Sequence, residues 1–277
     1  MFDNRHGRGD FLCRSCGAGS GFDLLMLVHK WTFPEARRRV LETTGLTSGR
    51  AAVPLVSPST VAAQAVAKLP RFVRTLARSA CTVAGCHDAV AYLDSRGLWP
   101  LPAGCTLRAH PSLDYWHDGQ RARYPGIVAE VRDGVGDLAT LHLTYLRHGK
   151  KLDTPDCRKL LSKLTGREGC AVRLMPLNDV LGVAEGIETA LSAAALQGVP
   201  VWAALNTSLL AKFEPPAGVT LLRVYADHDD AGLRAAEHVM KRLQGRVRCE
   251  LRLPVAPHKD WNDQLTSRNR DEGSSHD

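Results

Sequence analysis

The sequence predicts an α/β protein: a C-terminal parallel sheet with flanking helices, preceded by an α+β region and a short cysteine-bearing segment. Three observations predict it. From residue 180 onward, apolar runs alternate with helix-like segments, the pattern of strands joined by crossover helices. Ahead of that, one helix-like segment precedes two strand-like runs separated by a Gly/Asp turn, which reads as a hairpin. At the N-terminus, Cys13-Arg-Ser-Cys16 lies in polar, Gly-rich sequence with no regular period.

Each element follows from its residues. FDLLMLVHK (22–30) reads as a buried helix. Thr32 and Glu35 form a capping box with Pro34 in the first turn and Gly45 as a stop, so 34–43 is a second short helix carrying Arg37, Arg38 and Arg39. Residues 47–70 are rich in Ser, Ala and Pro and read as a linker. HDAVAYLDSRG (87–97) is helical, and GIVAEVR (126–132) and LATLHLTYL (138–146) are strands joined by Asp133–Asp137. Lys150, Lys151, Arg158, Lys159 and Lys163 then form a basic loop region.

The later segments alternate. VLGVA (180–184) is a strand, IETALSAAALQ (187–197) a helix closed by Gly198, and VPVWAAL (199–205) a strand. TSLLAKF (207–213) is a short helix, VTLLRVYA (219–226) a strand, 230–245 a helix and 246–254 a strand. The polar tail reads as disordered. The expected division is 1–46, a linker at 47–70, an α+β region at 71–178, the parallel α/β domain at 179–265 and a tail at 266–277.

Composition narrows the function. With 277 residues, 44% apolar and 23% charged, the chain is an ordinary globular one, which excludes collagen-like, coiled-coil and wholly disordered classes. Lys and Arg exceed Asp and Glu by 36 − 29 = 7, which favours a polyanionic partner without establishing one. No apolar run reaches the roughly 18 residues of a membrane span, and the first residues lack the apolar core of a signal peptide. A cytoplasmic protein without membrane partners is expected. Its eight cysteines then read as thiols or metal ligands. Aromatics at 6% argue against a broad base-stacking platform and leave Trp99, Tyr115 and Trp116 as individual candidates.

The chemistry-bearing residues are acidic. In an open parallel sheet, functional groups sit in loops at the carboxyl ends of the strands. Glu185-Gly186 follows the strand at 180, Asp227-His-Asp229-Asp230 follows the strand at 219, and Asp260 and Asp263 follow the last strand. Carboxylates gathered this way repel, and Mg²⁺ or Mn²⁺ relieves the repulsion while leaving room for water and phosphate oxygens. Asp227 and Asp229 alternate and so project together from extended chain, whereas Asp230 reads as the cap of the next helix. Glu188 lies one turn after Glu185, facing either the same site or the surface.

A strand ending in Glu-Gly, then a strand ending in Asp-x-Asp, with helices between them, resembles the Toprim domain. EGIETALSAA and ADHDDAGLRAA are similar to its primase-type members, and KDWND to the segment that closes primase catalytic regions. FDNRHGRGDFLCRSCGAGSGFDLL resembles the zinc-binding segment of phage- and plasmid-type primase-helicases, the primases of mobile elements. Residues 87–178, through AYLDSRGL, HPSLDYW and LTYL, resemble the region between ribbon and Toprim in the same family.

The resemblance implies a DNA primase: a nucleotidyltransferase that copies single-stranded DNA from ribonucleoside triphosphates into short RNA primers. It implies Glu185, Asp227 and Asp229 as catalytic and metal-binding residues, with Asp260 as a further Mg²⁺ ligand. It implies Zn²⁺ at Cys13 and Cys16, half of a four-ligand site, whose second C-x₂-C pair lies upstream in relatives. Either Met1 is set too late or this version has lost the ribbon. His6, or Cys81 with Cys86 and His87, are alternative ligands; the remaining cysteines read as small buried side chains. Lys150, Lys151, Lys159 and Lys163 are implied phosphate contacts, giving affinity without sequence choice. No GxxxxGK[ST] motif is present, so a replicative helicase would be a separate partner. Two other functions stay open: a metal-dependent Toprim nuclease and a non-catalytic DNA-binding replication subunit.

Overall fold

The computed structural model of the chain describes residues 2–3, 10–13, 17–19, 21–44, 69–164 and 167–274. Two compact units form, Met1–Ala62 and Ala63–Asp277. Cys16, His6 and most of the expected linker lie outside the described residues.

In the first unit, β1 (Phe2–Asp3), β2 (Asp10–Cys13) and β3 (Gly17–Gly19) make an antiparallel sheet, followed by α1 (Gly21–His29) and α2 (Phe33–Thr44). Half of the expected capping box forms: the Thr32 N–H donates to Glu35 Oε2 at 2.8 Å, and Thr32 Oγ1, rather than accepting from the Glu35 amide, donates to the same oxygen at 2.9 Å.

The second unit opens with α3 (Arg71–Ser79), β4 (Cys81–Thr82) and α4 (His87–Ser95). A long hairpin follows, β5 (Arg108–His117) and β6 (Gln120–Arg132), and then β7 (Leu138–Arg147). The sequence reading finds only the second half of β6, because Pro125 and the polar residues before it hide the alternation. Asp133 Oδ1 accepts from the Gly136 and Asp137 amides and so closes the β6–β7 turn. The basic segment expected as loop contains two short strands paired with β7, β8 (Lys150–Lys151) and β9 (Arg158–Leu160).

β10 (Ala171–Val172) is antiparallel both to β6 and to the edge strand of the parallel part, residues Val201–Ala203, and so joins the two halves into one eleven-stranded sheet. The parallel part is β11 (Val180–Ala184), α5 (Ile187–Gln197), β12 (Val201–Ala203), α6 (Thr207–Ala211), β13 (Leu221–Tyr225), α7 (Asp230–Leu243), β14 (Arg248–Arg252) and α8 (Trp261–Ser274). Its order is β14-β13-β11-β12. Consecutive apolar residues make β11 and β12 buried on both faces. α4, α5 and α8 share one core with the sheet, α6 and α7 share a second, and α3 packs in a third against β5, β6 and β7.

Two local features fix the working end. Gly182 on β11 has no Cβ because one would sit 2.6 Å from the Tyr225 ring. Tyr225 in turn packs edge-on against Trp261, whose indole N–H donates to the Ala226 carbonyl at 3.1 Å. That contact pins the start of α8 to the end of β13. The residues from 266, expected as a disordered tail, are instead helical through Ser274. The anchor at Trp261 and the cap at Asp260, whose Oδ1 accepts from the Asp263 amide at 2.7 Å, hold a helix that its polar sequence does not announce.

Candidate active site

In the order β14-β13-β11-β12, the chain leaves β11 toward β12 and returns on the other side as β13. The connections therefore diverge between the carboxyl ends of β11 and β13, which is where open α/β sheets bind ligands. Glu185 is the residue after β11, and Asp227 lies two residues after β13.

Asp227 is partly buried. Its Oδ2 accepts from Thr189 Oγ1 at 3.4 Å, and its Oδ1 is buried with no hydrogen-bond partner. Burial, reinforced by the charges of Asp260 and Asp229, pushes its pKa up to about 6, against the opposing pull of the Trp261 backbone and the Thr189 hydroxyl. Glu185 is raised by burial and by Asp229, and Arg158 partly offsets the rise. These shifts tie Glu185, Asp227, Asp229 and Asp260 into one field of mutual repulsion. Leu205 is held at φ 75°, a left-handed conformation unusual for leucine, and its amide donates to the Glu185 carbonyl at 2.6 Å.

Asp229, not Asp230, caps α7: its Oδ1 accepts from the Gly232 amide at 2.6 Å. Asp230 is instead the first helical residue, with its side chain 91% exposed. Among the described residues, no three His, Cys, Asp or Glu side chains stand close enough to hold a metal ion as placed. The donor set nonetheless fits one: a buried carboxylate oxygen of Asp227 has no partner, and two further carboxylates, Asp260 and Asp229, raise the cost of its charge. Cys81, Cys86 and His87 form no such group, and Cys81, Cys86, Cys105, Cys157, Cys170 and Cys249 are free thiols. Cys13 ends β2, but its expected partner Cys16 lies outside the described residues.

The basic residues divide. Lys151 Nζ is 2.7 Å from Glu188 Oε1, and Lys159 Nζ donates to the Trp116 carbonyl at 2.7 Å while lying 4.3 Å from the Tyr115 ring centroid. Both are committed inside the protein. Lys150 is exposed, and Lys163 is exposed beside a cleft of about 580 Å³ lined also by Leu160, Asn206 and Ser208. Glu188 is thus neither a member of the acidic cluster nor a free surface residue.

One residue outside the expected set stands out. Arg158 pairs with Thr144 in the β9–β7 register, so it shares the sheet face of Thr144 and His142, opposite to that of Lys159. It is exposed, forms no ion pair among the described residues, and acts electrostatically on Glu185, His142 and Tyr92. Of the candidate stacking aromatics, Tyr115 is core at 4% exposure, Trp99 packs against the core, and Trp116 is 58% exposed with Arg121 beside its ring.

Residues 180–271 match the family model of the Toprim domain, and residues 67–174 match a domain of unknown function, DUF7146. Among solved structures, a DNA primase domain from Pseudomonas aeruginosa aligns at 14% identity, over 74% of this chain and 76% of that one, with a TM-score of 0.48. The Aquifex aeolicus primase, its zinc-binding and RNA polymerase domains, aligns at 15% identity over 96% and 72%, with a TM-score of 0.48. The primase fragment of the bacteriophage T7 primase-helicase aligns at 21% identity and a TM-score of 0.40, over 59% of this chain, which spans 66% of that fragment. No described helix is long and apolar enough to cross a membrane. With acidic strand ends at the switch point and the family match over the same residues, residues 180–271 form a Toprim domain.

Proposed function

We propose that this protein is a primase-like nucleotidyltransferase that makes short RNA primers on single-stranded DNA. The observation that carries the proposal is the orphaned, buried Asp227 Oδ1 at the switch point, in the field of Asp229 and Asp260, with Glu185 in turn in the field of Asp229. Asp227, Asp229 and Glu185 would hold Mg²⁺ or Mn²⁺, with Asp260 beside them. Such an ion, when bound, supplies charge stabilisation to a reacting phosphoryl group.

The chain's own residues do the rest. Thr189 orients the Asp227 carboxylate. Asp229 keeps one oxygen on the α7 cap, which fixes its direction, and leaves the other for the site. Arg158 faces the acidic cluster with no competing partner and so binds the triphosphate. Glu185, with its raised pKa, is suited to take the proton of the primer 3′-hydroxyl. Lys150 and Lys163 are free to contact the template backbone, and exposed Trp116 is free to stack on a base. Cys13 and Cys16 would take part in a zinc site with further ligands.

The test is synthesis on single-stranded DNA with labelled ribonucleotides and Mg²⁺, comparing wild type with Asp227→Asn. Short template-dependent products that vanish in the variant are expected. Template cleavage lost in the variant would replace the proposal with a nuclease. Binding without either reaction would replace it with a DNA-binding subunit.

A further inference from the structure

Glu188 is the most firmly held carboxylate near the acidic site. Its side chain is 15% exposed, and its Oε1 accepts from the Tyr92 hydroxyl at 2.5 Å and from Lys151 Nζ at 2.7 Å. Burial alone would raise its pKa, but the Lys151 ammonium and the Tyr92 hydroxyl reverse the sign and bring it down to about 2. The partners are themselves fixed. Lys151 Nζ lies 5.8 Å from the Tyr92 ring centroid, and Asp88 Oδ1 on α4 accepts from the Gly149 amide at 2.9 Å. That bond ties the β7–β8 turn to the helix that carries Tyr92. His142 on β7 also faces this pair, and burial keeps its imidazole neutral with the pKa down to about 4.

A half-buried ion pair is a poor device for stability, since desolvating its charges offsets much of their attraction and apolar residues of the same volume serve as well. The position of this one gives it another use. Glu188 lies in the first turn of α5, three residues after Glu185, and the next residue, Thr189, donates to Asp227. The same turn is thus tied on one side to α4 and β8 and on the other to the end of β13.

We infer that Glu188 is a positioning residue of the acidic site: through Tyr92 and Lys151 it fixes the first turn of α5, and with it Glu185 and the Thr189 hydroxyl on Asp227. The inference rests on the reading that these carboxylates take a divalent ion. It assigns Lys151 to this tie and not to phosphate binding. Its loss therefore weakens metal binding and leaves the KM for ribonucleoside triphosphate unchanged.

The experiment is calorimetric titration of the full chain with Mn²⁺, for wild type, Glu188→Gln, Tyr92→Phe, Asp227→Asn and the double variant Lys151→Met/Glu188→Gln. Glu188→Gln is expected to bind about tenfold more weakly, at the low end of what supporting partners of metal ligands contribute. The double variant removes both charges, so it regains thermal stability, yet its Mn²⁺ affinity stays low. Wild-type affinity in the double variant would make the pair merely structural and overturn the inference. Should Glu188→Gln fail to fold, Tyr92→Phe deletes a single oxygen, and wild-type affinity there overturns it equally. If Asp227→Asn binds as wild type does, the reading of the acidic site itself fails. That outcome is distinct from failure of the positioning role alone.

Discussion

Asp227 Oδ1 lies buried at the end of β13 with no hydrogen-bond partner, and the protein holds its pKa at about 6 against an ordinary 3.8. A carboxylic acid whose folded pKa is raised favours folding when protonated. The contribution is full below the unfolded pKa and is lost as pH rises through about 6. At neutral pH the metal-free protein therefore carries an unfavourable charge, on the order of 3 kcal/mol for a shift of this size before solvent screening of the partly exposed carboxylate. Asp227→Asn removes it. Without divalent ions the variant is expected to melt above wild type at pH 7.5, and the gap to shrink as pH falls toward 4. Mg²⁺ should raise the Tm of wild type and not of the variant. A variant that melts lower at pH 7.5 without metal would contradict the strained carboxylate. The sequence shows which carboxylates gather, because each follows an apolar strand. It misplaces the α7 cap by one residue, from Asp229 to Asp230, because a cap is defined by where the helix begins, and pattern does not resolve that to a single residue.

β9 shows what a strand of three residues can decide. Pairing with β7 sends Lys159 to the face of Tyr115 and Arg158 to the opposite face, toward Glu185. The two neighbours should separate in kinetics. Arg158→Met is expected to raise the KM for ribonucleoside triphosphate about tenfold with little change in Tm, the scale of one lost charge-assisted contact. Lys159→Met is expected to lower the Tm and leave that KM near wild type. Equal effects on KM would mean that β9 does not set the facing. The sequence does mark this segment as basic. It offers no period over two or three residues, so neither β8 nor β9 is legible, and the internal bonds of Lys151 and Lys159 depend on partners distant in the chain. α8 is hidden for a related reason: its anchor is the tertiary contact of Trp261, not an apolar stripe.

The sheet as a unit explains why the acidic residues meet. Strand–helix alternation after residue 180 is strong in the sequence, and it predicts both the parallel sheet and the end at which function sits. The junction is not visible there. β10 has two residues, and it joins the antiparallel and parallel parts into one sheet, so the turn of α5 that bears Glu188 and Thr189 sits against α4 and β8. The acidic ends are thereby braced from both halves.

On this reading the braced end of the sheet holds a divalent ion. The most direct measurement is an anomalous difference map from crystals of the protein soaked in Mn²⁺. A peak about 2.1 Å from Asp227 Oδ1, within the common reach of Asp229 and Glu185, is the predicted result. A saturated soak with no peak there, or with its strongest peak elsewhere in the fold, would contradict it.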